Sequence, residues 1–237
     1  MRIDDFHYKG AMWRKITHSA ERKFSVGLDL GQSHDPTALA VVEYHRTPVD
    51  EFTVDNDRKT MRQIYKEHFD VVHLERLPLG TNYVDVAHYV AAIMDRSPLK
   101  ESGAELLADA TGVGRAATDI MRRSGLRFTS VVITGGDVAT YVSRDEWRVP
   151  KSVLITGLDA RLSVGELRFS DKLKEAATIR RELEDFRRTI GATGHVTFNA
   201  RSGAHDDLLL AVSLPIWALG SRKSRGDVST GFVRGLF

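Results

Sequence analysis

The sequence predicts an α/β fold: a central mixed sheet, three antiparallel strands followed by parallel strands, flanked by helices. Three observations predict it. Residues 24–77 hold three strand-like apolar runs in succession with turn-rich joins, which fits an antiparallel meander. From residue 82 onward, helical spacing alternates with short strand runs, the pattern of a layered sheet with helical connections. Two strand runs end at an acid, Asp29 and Asp109, close to a glycine-bearing turn.

Taken in order, residues 1–23 carry His, Lys, Arg and scattered aromatics without periodicity and read as a lead-in segment. Residues 24–30, FSVGLDL, are an apolar run broken by one acid and followed at once by Gly31, which suits a buried strand ending in a tight turn. His34-Asp35-Pro36-Thr37 reads as a hairpin turn, with proline fixing φ and Asp35 bonding back to the chain. Residues 38–44, ALAVVEY, read as the second strand. Residues 46–60 are polar and read as a loop, and 61–77, with the core FDVVHLERL, as the third strand.

Residues 82–96 place Tyr83, Ala87, Val90, Ala91 and Met94 at helical spacing, with Asn82 as the N-cap and Pro98 beyond the end. Residues 105–108, ELLA, form a buried strand closed by Asp109. The Gly-rich turn 110–114 leads into a helix over 115–123, which Ser124-Gly125 stops. Residues 128–134 are a strand, 150–162 a helix and 167–170 a short strand. An amphipathic helix over 174–189 carries Ala177, Ile179, Leu183, Phe186 and Ile190, with Gly191 and Gly194 ending it. A last strand is expected at 195–199. His205-Asp206-Asp207 then opens the apolar helix LLLAVSLPIWAL. The tail 221–237, with Arg222, Lys223, Arg225 and Arg234 among small residues, is expected to be mobile. The expected organisation is a lead-in at 1–23, one domain over 24–220 and the basic tail.

Composition narrows the function classes. Lys plus Arg (34) nearly balance Asp plus Glu (32), so overall charge does not point to a partner; basic residues concentrate at the ends and in 172–188. The absence of cysteine excludes disulfides, thiolate ligands and cysteine nucleophiles. No apolar run approaches the roughly 20 residues needed to span a bilayer, and the first 23 residues lack a signal-peptide core. A soluble, cytoplasmic protein with no membrane partner is expected.

The chemistry centres on acids. A buried ionised carboxylate needs a partner or a metal, so Asp29 is a candidate for chemistry; the alternative is an acid at the strand's wet end bonded to turn amides. Asp109 closes a second strand and could instead cap the helix after its turn. Asp207 and Asp206 stand at a helix start, where negative charge is favoured. Asp207 is the expected ligand and Asp206 the expected cap, although Asp206 could also bind metal. His205, beside them, is a substrate-phosphate contact or a surface residue. If these ends meet at one sheet edge, the carboxylates would repel unless divalent cations such as Mg²⁺ or Mn²⁺ sat among them. Two such ions about 4 Å apart clamp the attacking water and leaving oxygen of a phosphodiester.

Three segments carry a family resemblance. GLDLGQSHDPTALAVVE at 27–43, LLADATGVGR at 106–115 and GAHDDLLLAVSLPIW at 203–217 resemble the three acidic motifs of the nuclease domain of tailed-phage terminase large subunits. WRVPKSVLI at 147–155 resembles that family's link into the later helices. The resemblance implies an RNase H-like fold over 24–220 and a two-metal endonuclease that cuts concatemeric double-stranded DNA during phage packaging, in a bacterial host cell. It implies catalytic roles for Asp29, Asp109 and Asp207, with metal on these and on Asp206. Terminase small subunit, portal and an ATPase motor are the partners it implies. The motor's GxxxxGK[ST] loop has no match here, so an excised nuclease domain or a stand-alone prophage remnant is expected.

Other residues carry two readings each. Glu75 is a further site acid or a solvated strand position. Lys151 reaches a phosphate or lies on the surface. Arg180, Arg181, Arg187 and Arg188 are a DNA-binding stripe or, because Arg180/Glu184, Arg181/Asp185 and Glu184/Arg188 are four apart, a self-paired helix face, which is favoured. Tyr141, Trp147 and Trp217 suit the core better than base stacking. Two other functions fit the motifs: an actin- or sugar-kinase-like ATP-binding protein, with GLDLGQS and DATGVG as phosphate loops, and a non-catalytic domain that binds DNA or the portal.

Overall fold

The structure is a computed structural model that describes residues 1–31, 35–193 and 206–220, the side chains of 185–193 excepted. β3 (Glu21–Asp29), β4 (Ala38–Asp55) and β5 (Thr60–Arg76) form the expected antiparallel meander. On the other edge of β3, the strands β6 (Glu105–Asp109) and β7 (Thr129–Thr134) add in parallel. β9 (Glu146–Pro150) continues parallel to β7, and β8 (Thr140–Ser143) closes that side antiparallel. The chain is therefore α/β with a mixed sheet flanked by helices.

The lead-in segment is itself sheet. β1 (Arg2–Tyr8) and β2 (Ala11–Thr17) form a hairpin, and β2 joins β5 in parallel at Arg14–Ile16. Its two-residue turn, Lys9-Gly10, has φ of 47° and 74°, the left-handed pair that a tight hairpin uses. The expected loop over 46–60 is mostly strand as well, because β4 and β5 keep pairing to Asp55↔Thr60. None of this outer ribbon, residues 46–66, is fully buried, and its apolar residues, Phe52, Val54, Met61 and Ile64 among them, are spread among charged ones, so a buried strand is not read from it. β8 and β9 were also not expected. β10 (Leu167–Phe169) pairs in parallel with β5. The expected strand at 195–199 and the tail 221–237 lie outside the described residues.

Helices cover both faces. On one, α1 (Tyr83–Met94) buries Val86, Ala87, Val90 and Ile93 against Phe24, Val26 and Leu28. Asn82 caps it, its side chain accepting from the Asp85 N–H at 3.0 Å. The four-residue α2 (Leu99–Ser102) and α3 (Gly114–Arg123) complete this layer. On the other face lie α4 (Lys151–Ser163), α5 (Ala176–Thr193) and α6 (Asp207–Gly220). Among the described residues, no helix is long and apolar enough to cross a membrane.

α6 is the pin of the fold. It is buried on nearly every side from Asp207 to Trp217, as expected for a helix between a sheet and other helices. Leu208, Leu209 and Leu214 are fully enclosed and each contributes about 1.5–3 kcal/mol of burial. Pro215 cannot donate to the Ala211 carbonyl, and that turn lies directly on Gly27 of β3. A Cβ at Gly27 would sit 1.9 Å from the Ala211 oxygen and 2.6 Å from Pro215 Cδ. Trp217 packs edge-on to Trp147, with ring centroids 5.4 Å apart, so both belong to the core region; Tyr141, next to Trp147, is largely exposed.

Candidate functional site

The strand directions decide what meets at the edge. β3, β5, β6, β7 and β9 all run the same way, so their carboxyl ends share one rim. Asp29 ends β3 and Asp109 ends β6, and the two are register partners. Gly27 and Leu107, two residues earlier, both contact α6. Strand alternation therefore turns Asp29 and Asp109 to the α6 face as well. On the far side of β4, the register Asp29↔Ala38↔Arg76 brings in the end of β5, and Leu74 sets Arg76 on the same face.

The turns after the acids are held tightly. The Gly31 N–H donates to Thr37 Oγ1 at 3.1 Å, and a Cβ at Gly31 would lie 2.1 Å from the Asp35 carbonyl oxygen. Asp109 Oδ1 accepts the Thr111 N–H at 2.7 Å, and Thr111 Oγ1 accepts the Ile133 N–H at 2.7 Å, which ties this turn to β7.

α6 and α4 aim their first residues at the same rim. Arg76 donates to both Asp207 oxygens, Nε to Oδ2 and Nη2 to Oδ1, each at 2.7 Å. Arg76 Nη2 also donates to Glu182 Oε1 at 2.7 Å, and Glu182 Oε2 accepts the Leu209 N–H at 2.9 Å. Asp206 stands at the N-cap position, its carbonyl accepting the Leu210 N–H at 2.9 Å, while the side chain that accepts a first-turn amide of α6 is Glu182 of α5. Asp206 instead accepts from Lys151 Nζ at 2.5 Å, and Lys151 opens α4 just after Pro150.

The electrostatics record the crowding. Burial pushes the Asp29 carboxyl well above the usual carboxylate range, and the charges of Asp109, Asp207 and Asp206 push it further, against Lys151. Burial also raises Asp109, opposed by the Thr111 hydrogen bonds and by Lys151. Glu182 is pushed up to about 8, chiefly by burial, with the Leu209 N–H and Arg76 opposing and Asp207 and Asp206 adding to it. Arg76 is raised despite its burial, because Asp207 and Glu182 favour its charge.

Asp29, Asp109, Asp206, Asp207 and Lys151 are therefore brought to one rim. His205 lies outside the described residues, as do the side chains of Arg187 and Arg188. Glu75 faces α1 rather than this rim, its carboxylate accepting from the Tyr89 hydroxyl at 2.7 Å. Lys151 is not a free surface lysine. Arg180 pairs with Asp171 at 3.4 Å. The sequence reading missed Arg76 and Glu182.

Asp29 and Asp109 suit a hard cation: two crowded carboxylates in which, among the described residues, only Thr111 donates a hydrogen bond. Asp206 and Asp207 are each neutralised by a cationic side chain, so binding there requires Lys151 and Arg76 to give way. Among the described residues, the one trio of ligand atoms lying within 4.8 Å of one another is elsewhere, at His45, His68 and Asp70.

No family model matches this chain, and no curated protein matches it. The chemistry of the rim is carried by its own residues.

Proposed function

We propose that this chain is a metal-dependent DNA endonuclease of the terminase large-subunit kind, with an RNase H-like core. The single observation that carries the reading is the register pair Asp29↔Asp109 at the rim, crowded by the two acids that open α6. The meander followed by parallel strands supports the fold proposed.

Asp29 and Asp109 would hold the divalent cations, Mg²⁺ or Mn²⁺, with Asp207 and Asp206 completing the set. Bound there, such ions supply Lewis acidity at the phosphodiester and a more acidic water. Asp29, Asp109 and Asp207 form the acidic wall facing the scissile phosphate. Arg76 fixes the Asp207 carboxylate through two hydrogen bonds. Lys151, once released from Asp206, is placed to meet a phosphate oxygen. In the overall reaction a water oxygen bonds to phosphorus and the P–O3′ bond breaks, leaving a 3′-hydroxyl and a 5′-phosphate. Double-stranded DNA is the proposed substrate; terminase small subunit, portal and a motor domain are the proposed partners.

The ion pairs of Asp206 and Asp207 favour one competing reading, a packaging domain that binds DNA or portal without cutting. Plasmid relaxation with Mg²⁺ or Mn²⁺ separates the two. Nicking or linearisation that disappears in Asp29→Asn supports the nuclease; DNA retention without cutting under every metal supports the binder.

A further inference from the structure

The antiparallel pair β4–β5 carries a second constellation that the proposed nuclease does not use. His45 and His68 are direct register partners, and so are Glu43 and Asp70, two residues along. Alternation places all four on one face. The two imidazoles stack, with ring centroids 4.7 Å apart and planes 17° apart. Both Nε2 atoms turn toward the same oxygen, Asp70 Oδ2, at 3.9 Å from His45 and 3.8 Å from His68. His45 Nε2 also lies 2.8 Å from Glu43 Oε1. All four side chains are partly exposed, so the patch is reachable from solvent.

We propose that His45, His68 and Asp70, with Glu43 as fourth ligand, form a binding site for a transition-metal dication of the zinc class. Two imidazoles and two carboxylates are the donor set that such an ion takes in tetrahedral geometry. With bonds of about 2.0–2.2 Å, neighbouring donors on one ion stand about 3.4 Å apart. The two histidine–Asp70 separations therefore need to close by about half an ångström; the three ligand atoms of His45, His68 and Asp70 already lie within 4.8 Å of one another, and Glu43, which of these three reaches only His45, must turn in to complete the set.

The acids currently hold arginines: Arg168 donates to Asp70 at 2.6 and 2.8 Å, and Arg22 donates to Glu43. Both arginines are more than half exposed and can turn into water when an ion arrives. Imidazole donors distinguish this site from the rim, whose donors among the described residues are all oxygen and suit Mg²⁺. The two sites are also separate. His45 is seven residues along β4 from Ala38, the partner of Asp29, or about 23 Å at roughly 3.3 Å per residue. A bound ion would staple β4 to β5 where the ribbon begins to leave the helical layers.

The test is titration of untagged, chelator-treated full-length chain with Zn²⁺ and with Co²⁺. One equivalent of Zn²⁺ by calorimetry that persists in Asp29→Asn/Asp109→Asn, where the rim has lost its acids, and an intense visible Co²⁺ band of tetrahedral type support the site. His45→Gln and His68→Gln should each weaken Zn²⁺ by about tenfold or more, since even outer-shell partners are worth that much. Asp29→Asn/Asp109→Asn should leave the tetrahedral Co²⁺ band unchanged, because that band reports the imidazole site alone. The proposal is overturned if the wild-type chain gives no tetrahedral Co²⁺ band, a result that needs no variant to fold. It is also overturned if His45→Gln/His68→Gln binds Zn²⁺ like wild type. Either failure leaves the nuclease proposal intact, because DNA cleavage is read separately.

Discussion

Asp29 and Asp109 stand side by side at matching registers of two parallel strands, both on the face that α6 covers. Two carboxylates so placed raise each other's affinity for any positive charge, whether a proton or a metal ion. The surrounding cations do not cancel this, because Arg76 is committed to Asp207 and Glu182, and Lys151 to Asp206.

Removing the charge at the strand end should stop catalysis without unfolding the chain. Asp29→Asn is expected to lower Mg²⁺-dependent plasmid cleavage by about 10²-fold or more, since charge stabilisation by a bound metal is worth several kcal/mol. The same variant should stabilise the metal-free protein by about 1 kcal/mol, because an isosteric amide relieves the repulsion. A melting temperature about 2–4 °C higher in chelator checks the second half.

Arg76 should matter more for stability than any other charge at the rim. Arg76→Ala leaves the buried Asp207 without its cation and Glu182 Oε1 without its donor, a cost of about 3–5 kcal/mol. Denaturant unfolding of Arg76→Ala, Glu182→Gln and the double variant checks it. Glu182→Gln changes the acceptor that Arg76→Ala leaves without its donor, so the two substitutions share one interaction and the double variant should lose less than the sum of the singles.

Stability in chelator should fall as pH rises. Glu182 binds its proton up to about 8 in the native state against an ordinary value near 4.5, and Asp29 and Asp109 are shifted the same way. The native state therefore holds more protons than the unfolded chain between about pH 4.5 and 8, and the contribution of these acids is lost across that window. Melting curves in chelator should show the decline, flatter in Glu182→Gln. Saturating Mg²⁺ should raise the melting temperature more at pH 8 than at pH 5.

The seat of α6 on β3 is set by a hydrogen atom. Gly27→Ala would drive a methyl group into the Ala211 carbonyl, so α6 and Asp207 must shift. We expect a loss of about 3 kcal/mol or more, with cleavage falling as well. Gly157→Ala is the control: its Cβ would meet nothing within 4 Å in mid-helix, and it should stabilise by about 0.5–1 kcal/mol.

The meander, the rim acids and the helix starts were legible because each has a local signature: an apolar run ending at an acid, then a glycine. Arg76 had none. It closes the β5 strand as an ordinary polar residue, and its partner Asp207 lies 131 positions away. Glu182 likewise reads as one more charge on an amphipathic helix until α6 is laid beside it. The 2–17 hairpin was missed although Lys9-Gly10 marked it, since β1 buries none of its residues fully and only Trp13 and Ile16 of β2 are buried. The His45–His68 pair was invisible for a different reason: the register of β4 on β5 passes through a bulge at Val41/Val42, and spacing alone does not place it.

The most direct test is anomalous diffraction from crystals grown with Mn²⁺. The account predicts manganese peaks between the carboxylates of Asp29 and Asp109, with Arg76 or Lys151 displaced if Asp207 or Asp206 joins the coordination. Saturating Mn²⁺ that leaves Asp29 and Asp109 without a peak, while active protein still cuts DNA, would contradict it.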